Sequence, residues 1–352
     1  DVTANYTVTK TPGTLKIIKS AIENYINIYP VDVTEVYDGE AHVAGIARAT
    51  DRNGNALKIE YSVNGTDWTE NSSEITATNV SDSTIVNVRV STENYAGYVT
   101  GTEKLTITPK PVTVTANDLN KTYKEIDPEL TATVTGTLGE DILTYDLSRV
   151  VGEDVGKYPI TASGEGLQGN YNVTYNPGTL TITAATRTTA LSVTSYEGTY
   201  DAEKHAITVN GTVAGDKVEY SYDSGKTWGE TPKEYKDVTN VAIQVKVTNK
   251  NYKPEETILN TTVIITPATL TVSTPIATKV YEGTPLTAAG TISGFVNDET
   301  ATFATTGSQT EVGSTANTYS LTWDGTAKES NYKVVETIGT LTVTAQSIDP
   351  EN

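Results

Sequence analysis

The chain has 352 residues, and its 44 acidic against 25 basic residues give a formal net charge of −19. This balance excludes a phosphate-binding surface, and therefore nucleic acid as a partner. It contains no cysteine and no methionine, which excludes disulfides and cysteine-based zinc sites. No apolar run approaches the roughly 18 residues of a membrane-spanning helix, so we expect no membrane insertion of this segment.

Asn-Tyr pairs that begin at residues 5, 94, 170, 251 and 331 divide the chain at intervals of 76 to 89 residues. Self-similarity at such a period indicates an array of small domains. Residues 1–19 match only the end of a unit, so we interpret them as the C-terminal hairpin of a preceding repeat. We therefore expect the chain to be a piece of a longer exported protein.

Two repeat types alternate along the chain. The tryptophan type covers residues 20–109 and 185–267, and its two copies align through YDGEAH with YDAEKH and through KIEYSVNGTDW with KVEYSYDSGKTW. Asn64-Gly65 and Ser224-Gly225 each separate two alternating runs, which predicts a hairpin at both positions.

The proline type covers residues 110–184 and 268–346, with residues 347–352 as a linker to a following repeat. Its copies align KTYKEIDPELTATVTGTL with KVYEGTPLTAAGTISGF. We predict turns at Asn117, Gly136, Gly152 and Gly164. In the first copy we predict six short strands, near 112–116, 130–135, 143–147, 157–162, 171–175 and 179–183.

Each unit closes on a segment such as NYNVTYNPGTLTIT, which begins at Asn170. Alternation in its last part sends Leu180 and Ile182 to one face of a half-buried strand. Pro177-Gly178 just upstream is a turn signal. Together these features predict the last hairpin of a β domain.

The abundance of threonine, valine and tyrosine, without a 3.6-residue apolar period, predicts an all-β fold. We expect small Ig-like β-sandwich domains, with β-grasp-like sheets as the alternative for the proline type. The joins Thr108-Pro109-Lys110-Pro111 and Thr266-Pro267-Ala268 are short and leave little linker to bend. We therefore expect a semi-rigid, elongated rod of about 120 to 160 Å.

The proline-type pattern, Lys-x-Tyr followed by Pro, Leu-Thr and a closing Asn-Tyr with GTLTIT, resembles the MBG-type repeat of bacterial surface proteins. The YDG-x-x-H pattern with EYS and Trp is similar to its companion Ig-like repeat. The second proline-type copy departs from the pattern by shortening KEIDPEL to EGTPL. The resemblance implies an extracellular adhesin stalk on a bacterial surface and no catalytic residue.

Ser221 to Trp228 resembles an Asp-box, the SxDxGxTW hairpin of sialidases and other β proteins. A hairpin alone explains these residues, because Asp223 can accept local N–H bonds and Gly225 can take a positive φ. A sialidase would also need a propeller with an arginine cluster, which the scattered arginines do not supply. We interpret the segment as structural.

Both histidines, His42 and His205, occupy one repeat position, within YDxExH. An extended segment would place Asp38 and Glu40 on the face of His42, as it would Asp201 and Glu203 for His205, and such a set could hold a divalent metal. The alternative is a turn in which the aspartate bonds its own backbone. We favour the turn and expect no metal or other cofactor.

Three other motifs receive structural interpretations. Asp51 to Asn55 resembles the start of a calcium loop but lacks its bidentate glutamate, so we predict a turn at Asn53-Gly54. A Lys–Asn isopeptide bond stays open, since no spacing singles out its members. Many tyrosines recur at matched repeat positions, which indicates framework packing.

These observations predict a non-enzymatic, monomeric stalk that projects a distal module from the cell surface. The alternative is that one repeat binds a host ligand, a mucin glycan or a host protein, through a loop that differs between copies. The segments 138–154 and 297–312 are the divergent loops of the two proline-type repeats.

Overall fold

The computed structural model describes residue 9 and residues 11–21 and 25–347. The described residues form β-strands and three-residue 3-10 helices, with no α-helix among them, which confirms the predicted all-β class. No helix in the described part of the chain is long and apolar enough to cross a bilayer. The chain divides into two compact units, residues 1–183 and 184–352. Each unit contains one tryptophan-type and one proline-type repeat, and we call each such combination a pair.

The first tryptophan-type repeat is built around a four-stranded sheet of order β3-β10-β8-β6. Its 3-10 helices are Ser72–Glu74 and Val80–Asp82. Its strands are β1 (Ser20–Ala21), β2 (Ile26–Tyr29), β3 (Val33–Val36), β4 (His42–Val43), β5 (Arg48–Asp51), β6 (Glu60–Ser62), β7 (Thr76–Ala77), β8 (Thr84–Val90), β9 (Tyr95–Ala96) and β10 (Val99–Thr108).

The first proline-type repeat consists of two four-stranded sheets, β13-β11-β17-β16 and β12-β18-β15-β14. Its core lies between them, with Val112 and Val114 from one sheet against Ile160 and Leu180 from the other. This is a β-sandwich, so the β-grasp alternative is wrong. Its strands are β11 (Lys110–Ala116), β12 (Leu119–Thr122), β13 (Ala132–Thr135), β14 (Asp146–Arg149), β15 (Gly156–Ser163), β16 (Leu167–Gln168), β17 (Tyr171–Asn176) and β18 (Gly178–Thr183).

The second pair repeats this plan. Its tryptophan-type repeat has a β21-β26-β24-β23 sheet, and its proline-type repeat has the sheets β29-β27-β33 and β28-β34-β31. A 3-10 helix spans Glu329–Asn331. The tryptophan-type strands are β19 (Ala185–Thr186), β20 (Ser192–Thr194), β21 (Tyr196–Thr199), β22 (Thr208–Asn210), β23 (Lys217–Ser221), β24 (Thr239–Thr248), β25 (Tyr252–Lys253) and β26 (Glu256–Thr266). The proline-type strands are β27 (Ala268–Ser273), β28 (Ala277–Val280), β29 (Thr291–Ser293), β30 (Thr302–Thr305), β31 (Gly313–Ala316), β32 (Tyr319–Thr322), β33 (Tyr332–Thr337) and β34 (Thr340–Thr344).

All four repeats share one arrangement of their closing strand. In each, an early strand pairs in parallel with the last strand: β3 with β10, β12 with β18, β21 with β26, and β28 with β34. A tyrosine just beyond the early strand then donates its N–H to a threonine carbonyl at the end of the last strand. These contacts are Tyr37 to Thr108, Tyr123 to Thr183, Tyr200 to Thr266 and Tyr281 to Thr344, at 2.8–2.9 Å. The YDG and Lys-x-Tyr motifs therefore mark the same place in one common architecture.

The predicted closing hairpin of the proline type is wrong. Strand β17 pairs with β11 and β16, whereas β18 pairs with β12 and β15 in the other sheet. The Pro177-Gly178 corner therefore carries the chain from one sheet to the other. Gly178 permits this crossing because a Cβ there would lie 2.4 Å from the carbonyl oxygen of Ala116. Gly339 makes the same close approach to Pro275 in the second copy, at 2.2 Å.

Several predicted strands shift. The sequence missed β12 and the short β16, and the strand expected near 143–147 begins only at Asp146. The hairpin predicted for residues 1–19 falls partly on residues 1–8 and 10, which lie outside the described residues. Residues 11–19 contain no strand, and the domain assignment of this segment stays a prediction. Of the predicted linker, residues 348–352 also lie outside the described part.

Candidate functional site: the joint within each pair

The two repeats of a pair are joined by one residue. Strand β10 ends at Thr108 and β11 begins at Lys110, with Pro109 between them. Pro267 alone separates β26 from β27 in the second pair. Proline fixes φ at this position, so the covalent connection itself has little freedom.

The asparagine of the Asn-Tyr motif connects the two repeats of each pair. In the first pair, Asn170 Oδ1 accepts a 2.9 Å hydrogen bond from the backbone N–H of Val80. Its Nδ2 donates to Asn79 Oδ1 at 2.8 Å. The amide therefore caps a 3-10 turn of the preceding repeat with both of its polar atoms.

Asn331 makes the same contacts in the second pair. Its Oδ1 accepts from Val238 N at 3.0 Å, and its Nδ2 donates to Asp237 Oδ1 at 2.9 Å. Asn331 is fully buried. Lys328 adds an ion pair to Asp237 at 2.7 Å, and this lysine, followed by Asn331, lowers the pKa of Asp237. The same joint thus occurs twice.

The tyrosine of the motif packs across the joint. Tyr171 lies edge-on to Tyr37, with ring centroids 5.6 Å apart at 90°. Its hydroxyl accepts from Leu138 N at 3.0 Å and donates to the Asp141 carboxylate. The tyrosine of the YDG motif and the tyrosine of the Asn-Tyr motif therefore pack against each other in the interface between the two repeats.

The second pair adds a shared carboxylate. Tyr332 packs edge-on to Tyr200 at 5.8 Å, and its hydroxyl accepts from Val296 N at 3.0 Å. Glu299 accepts from both hydroxyls, from Tyr200 at 2.6 Å and from Tyr332 at 2.7 Å. Tyr200 and Tyr332 belong to one hydrophobic core that continues from one repeat into the next.

Burial controls the protonation of these tyrosines. It raises the pKa of Tyr332 to about 12, and the hydrogen bond to Glu299 adds to the rise. Burial, then Glu299, also raises the pKa of Tyr200, and burial, then Asp141, raises that of Tyr171. The hydroxyls therefore stay protonated donors at neutral pH.

Sequence reasoning found the tyrosines and asparagines of the joint but missed their acceptors. Asp141 and Glu299 lie in the stretches interpreted as divergent loops. In both repeats the residue whose N–H binds the tyrosine hydroxyl lies three positions before the carboxylate. These residues are Leu138 before Asp141 and Val296 before Glu299. This shared spacing was the available signal.

The YDxExH segments form the predicted aspartate turn. Asp38 Oδ1 accepts from Glu40 N at 2.9 Å and lies 3.0 Å from His42 Nε2. These contacts, the Glu40 N–H first, lower the pKa of Asp38.

The second copy has the same turn. Asp201 Oδ1 lies 2.9 Å from His205 Nε2 and accepts from Glu203 N at 2.9 Å. Here the His205 contact is the larger cause of a lowered pKa of Asp201. Tyr196 stacks on His205 at 3.8 Å. Within the described residues, no three His, Asp or Glu side chains gather as a metal site, and the absence of a metal stays a prediction.

The Asp-box segment forms the predicted hairpin. Asp223 accepts hydrogen bonds from Lys226 N, Thr227 N and Thr227 Oγ1, at 2.6–3.1 Å. These bonds, those of Thr227 first, lower the pKa of Asp223 to about 2. Gly225 has φ +84°, and Trp228 Nε1 donates to its carbonyl at 3.1 Å.

The partner hairpin substitutes an amide for the carboxylate. Asn64 Oδ1 accepts from Thr66 N and Asp67 N, each at 2.9 Å. Trp68 Nε1 donates to Gly65 O at 3.1 Å. The turn therefore needs an acceptor at this position, not a charge, which supports its structural interpretation.

The turn predicted at Asn53-Gly54 is confirmed. Asp51 Oδ1 accepts from Asn53 N and Asn55 N, each at 2.8 Å, and Gly54 has φ +83°.

An ion cluster in the first proline-type repeat was not anticipated. Lys121 Nζ contacts Asp127 at 2.7 Å and Glu153 at 2.5 Å, and Arg149 contacts the same two carboxylates at 2.6 Å. Asp127, then Glu153, raises the pKa of Lys121. The two cations and two carboxylates therefore neutralise one another in one cluster.

Several solved structures are similar to the chain at low sequence identity and low TM-score. The human desmocollin-1 ectodomain is 13% identical over 90% of this chain and 80% of its own, with a TM-score of 0.26. The protocadherin gammaB7 EC3-6 structure is 10% identical over 90% of this chain and all of its own, with a TM-score of 0.29. A titin I-band fragment is 13% identical over 69% of this chain and 97% of its own, with a TM-score of 0.25.

No curated protein sequence matches the chain significantly. The family model described as MBG domain (YGX type) matches residues 112–181 and 270–342. These two segments are the proline-type repeats, which confirms the resemblance found in their sequence. The chain therefore contains two MBG-type repeats, each preceded by a tryptophan-type repeat.

Proposed function

We propose that the chain is a stalk region of a bacterial cell-surface adhesin, which holds a distal module away from the surface. The observation that carries this proposal is the joint: both pairs use an asparagine, two tyrosines and a carboxylate at matched positions. A stalk must transmit position along its length, and buried hydrogen bonds across a domain boundary restrict bending.

The proline connections and the charge support the same function. Each pair is joined through one proline, and the net charge of −19 opposes association of neighbouring molecules. The reactive-looking side chains also have structural partners: His42 and His205 bind aspartate turns, and Lys121 sits in an ion cluster. We therefore propose a non-enzymatic, extracellular, monomeric region.

Pair exchange tests this proposal. The chain is displayed on cells between a surface anchor and a terminal epitope, and antibody access to that epitope is measured. Replacing residues 20–183 with a second copy of 184–346 should leave access unchanged, because a spacer depends on length. Deleting either pair should reduce access. The spacer function would be refuted if the exchange reduced antibody access, or if the deletion of a pair left antibody access unchanged.

A further inference from the structure

The outer face of the first tryptophan-type repeat contains a cleft beside Trp68. The cleft has a volume of ≈ 350 Å³ and is lined by Gly65, Trp68, Asn87, Val88, Thr100, Gly101 and Thr102. This volume lies at the lower end of the range for small-ligand sites. Its polar lining consists of one amide and two hydroxyl groups, and the Arg89 guanidinium lies against the Trp68 ring.

The indole of Trp68 is fixed at this cleft. The Arg89 guanidinium lies over its ring at 3.9 Å and over the Tyr98 ring at 4.4 Å. Glu60 binds Arg89 Nε at 2.7 Å, which compensates its charge. The aromatic wall is therefore ordered before any ligand arrives, and binding needs little reorganisation.

In the second tryptophan-type repeat, longer side chains fill the position that corresponds to the Trp68 cleft. Asn87 pairs across the sheet with Ser62 and Thr102; Gln244 pairs with Ser221 and Asn260 at the equivalent positions.

The longer side chains of the second repeat occupy the space beside its tryptophan. Gln244 Nε2 donates to Asn260 Oδ1 at 3.0 Å, and Gln244 Oε1 lies 2.9 Å from where a Cβ of Gly225 would be. In the first repeat, Asn87 is one methylene shorter and its Nδ2 turns to Ser62 O at 3.1 Å. No atom lies within 4 Å of the equivalent position at Gly65. The cleft is open because two side chains are shorter.

We propose that the Trp68 cleft binds a neutral saccharide unit, an activity beyond that of a spacer. A sugar ring offers a C–H face that packs against the part of the indole that lines the cleft. Its hydroxyls exchange hydrogen bonds with Asn87, Thr100 and Thr102. Glu60 pairs with Arg89, the charged group beside the cleft, and the chain's net charge is −19, so an anionic ligand is disfavoured.

The test uses the full chain and the indole N–H resonances of its tryptophans. These are titrated with the neutral sugars glucose, galactose, N-acetylglucosamine and N-acetylgalactosamine, and with the anionic sugar N-acetylneuraminic acid. At least one neutral sugar should give a saturable shift of the Trp68 signal. The variant N87Q/T102N, which copies the filled repeat and keeps the tryptophan, should weaken binding at least tenfold. Trp228→Ala should leave it unchanged, and Q244N/N260T should create a second site at Trp228.

Three results would overturn the proposal. They are no saturable shift with any of the four neutral sugars, undiminished binding by N87Q/T102N, and a response confined to N-acetylneuraminic acid.

Discussion

The hydroxyl of Tyr332 donates a 2.7 Å hydrogen bond to Glu299, whose other oxygen accepts from Tyr200. One carboxylate thus connects the tryptophan-type and proline-type repeats of the second pair. In the first pair, Asp141 accepts from Tyr171 and has a side chain one methylene shorter. The second joint therefore has a hydrogen bond across the repeat boundary that depends on the length of glutamate.

Replacing Glu299 with Gln should weaken the second joint. The amide lacks the charge and offers one acceptor oxygen in place of two, and a hydrogen bond to a charged group contributes about 1.5–3 kcal/mol. We expect faster amide hydrogen exchange at Val296 and around Tyr200 in the full chain. Glu336→Gln is the matched control, because Glu336 accepts from Tyr319 on an exposed surface and should have a small effect. Equal effects of both variants would contradict the prediction.

The second joint should weaken in alkali. The folded-state pKa of Tyr332, about 12, lies above the ordinary value near 10. The contribution of its protonated hydroxyl to the free energy of unfolding is therefore complete below about pH 10. This contribution, on the order of 2 kcal/mol, is lost as the pH rises through 12. Tyrosinate absorbance of the wild type should include a late-titrating component that Tyr332→Phe reduces. An unchanged titration in that variant would exclude Tyr332 as the late group.

The sheet crossing at Gly178 should not tolerate a side chain. A Cβ there would lie 2.4 Å from the carbonyl of Ala116, so Gly178→Ala forces the backbones of both sheets apart. We expect a loss of about 2–4 kcal/mol of unfolding free energy, comparable to severe overpacking. The control Gly166→Ala adds a methyl group where no atom lies within 4 Å. Denaturant unfolding of the full chain compares them, and a silent Gly178→Ala would show that the crossing can relax.

Sequence patterns predicted what local chemistry determines. Alternation placed Leu180 and Ile182 in the core, where they are fully buried, and turn chemistry predicted the Asp223 hairpin. The closing hairpin failed because a Pro-Gly corner has the same local signature whether the next strand pairs beside the previous one or in the opposite sheet. Only the partners β11 and β12, distant in sequence, decide between these outcomes.

The joint could be predicted only in part for the same reason. Repetition identified Asn170 and Tyr171. However, the repeated sequence pattern is the same whether the asparagine caps a turn of its own domain or a turn of the neighbouring domain. Their acceptors, Asn79 and Asp141, lie about 90 and 30 residues away in segments with little identity between copies. Contacts of such sequence separation depend on the packed domains, which local periodicity does not specify.

The Asp223 hairpin should depend on an acceptor more than on a charge. Asn64 holds the equivalent turn with an amide oxygen, so Asp223→Asn should lower the melting temperature far less than Asp223→Ala. The stability of the wild type should also fall at low pH through protonation of Asp223, and Asp223→Asn should lack this part of the pH dependence. Because the pKa of Asp223 is about 2, this contribution is complete above the ordinary value near 4 and is lost as the pH falls through 2. Equal melting temperatures of the two variants would contradict the acceptor role.

Removing the Asn170 side chain should loosen the first pair without unfolding either repeat. In Asn170→Ala, the Val80 N–H and Asn79 lose their partner across the boundary, at a cost of about 1–3 kcal/mol for a part-buried donor. Hydrogen exchange in the full chain should accelerate at Val80, while amides in the centre of β8 and β18 keep their protection. Asn331→Ala should do the same at Val238. Asn176→Ala is the control, since the described hydrogen bond of its side chain, to Thr115, is long at 3.4 Å and exposed. Acceleration throughout the repeat would instead make Asn170 a determinant of the domain's own stability, and an unchanged rate at Val80 would exclude the asparagine as the connection between the repeats.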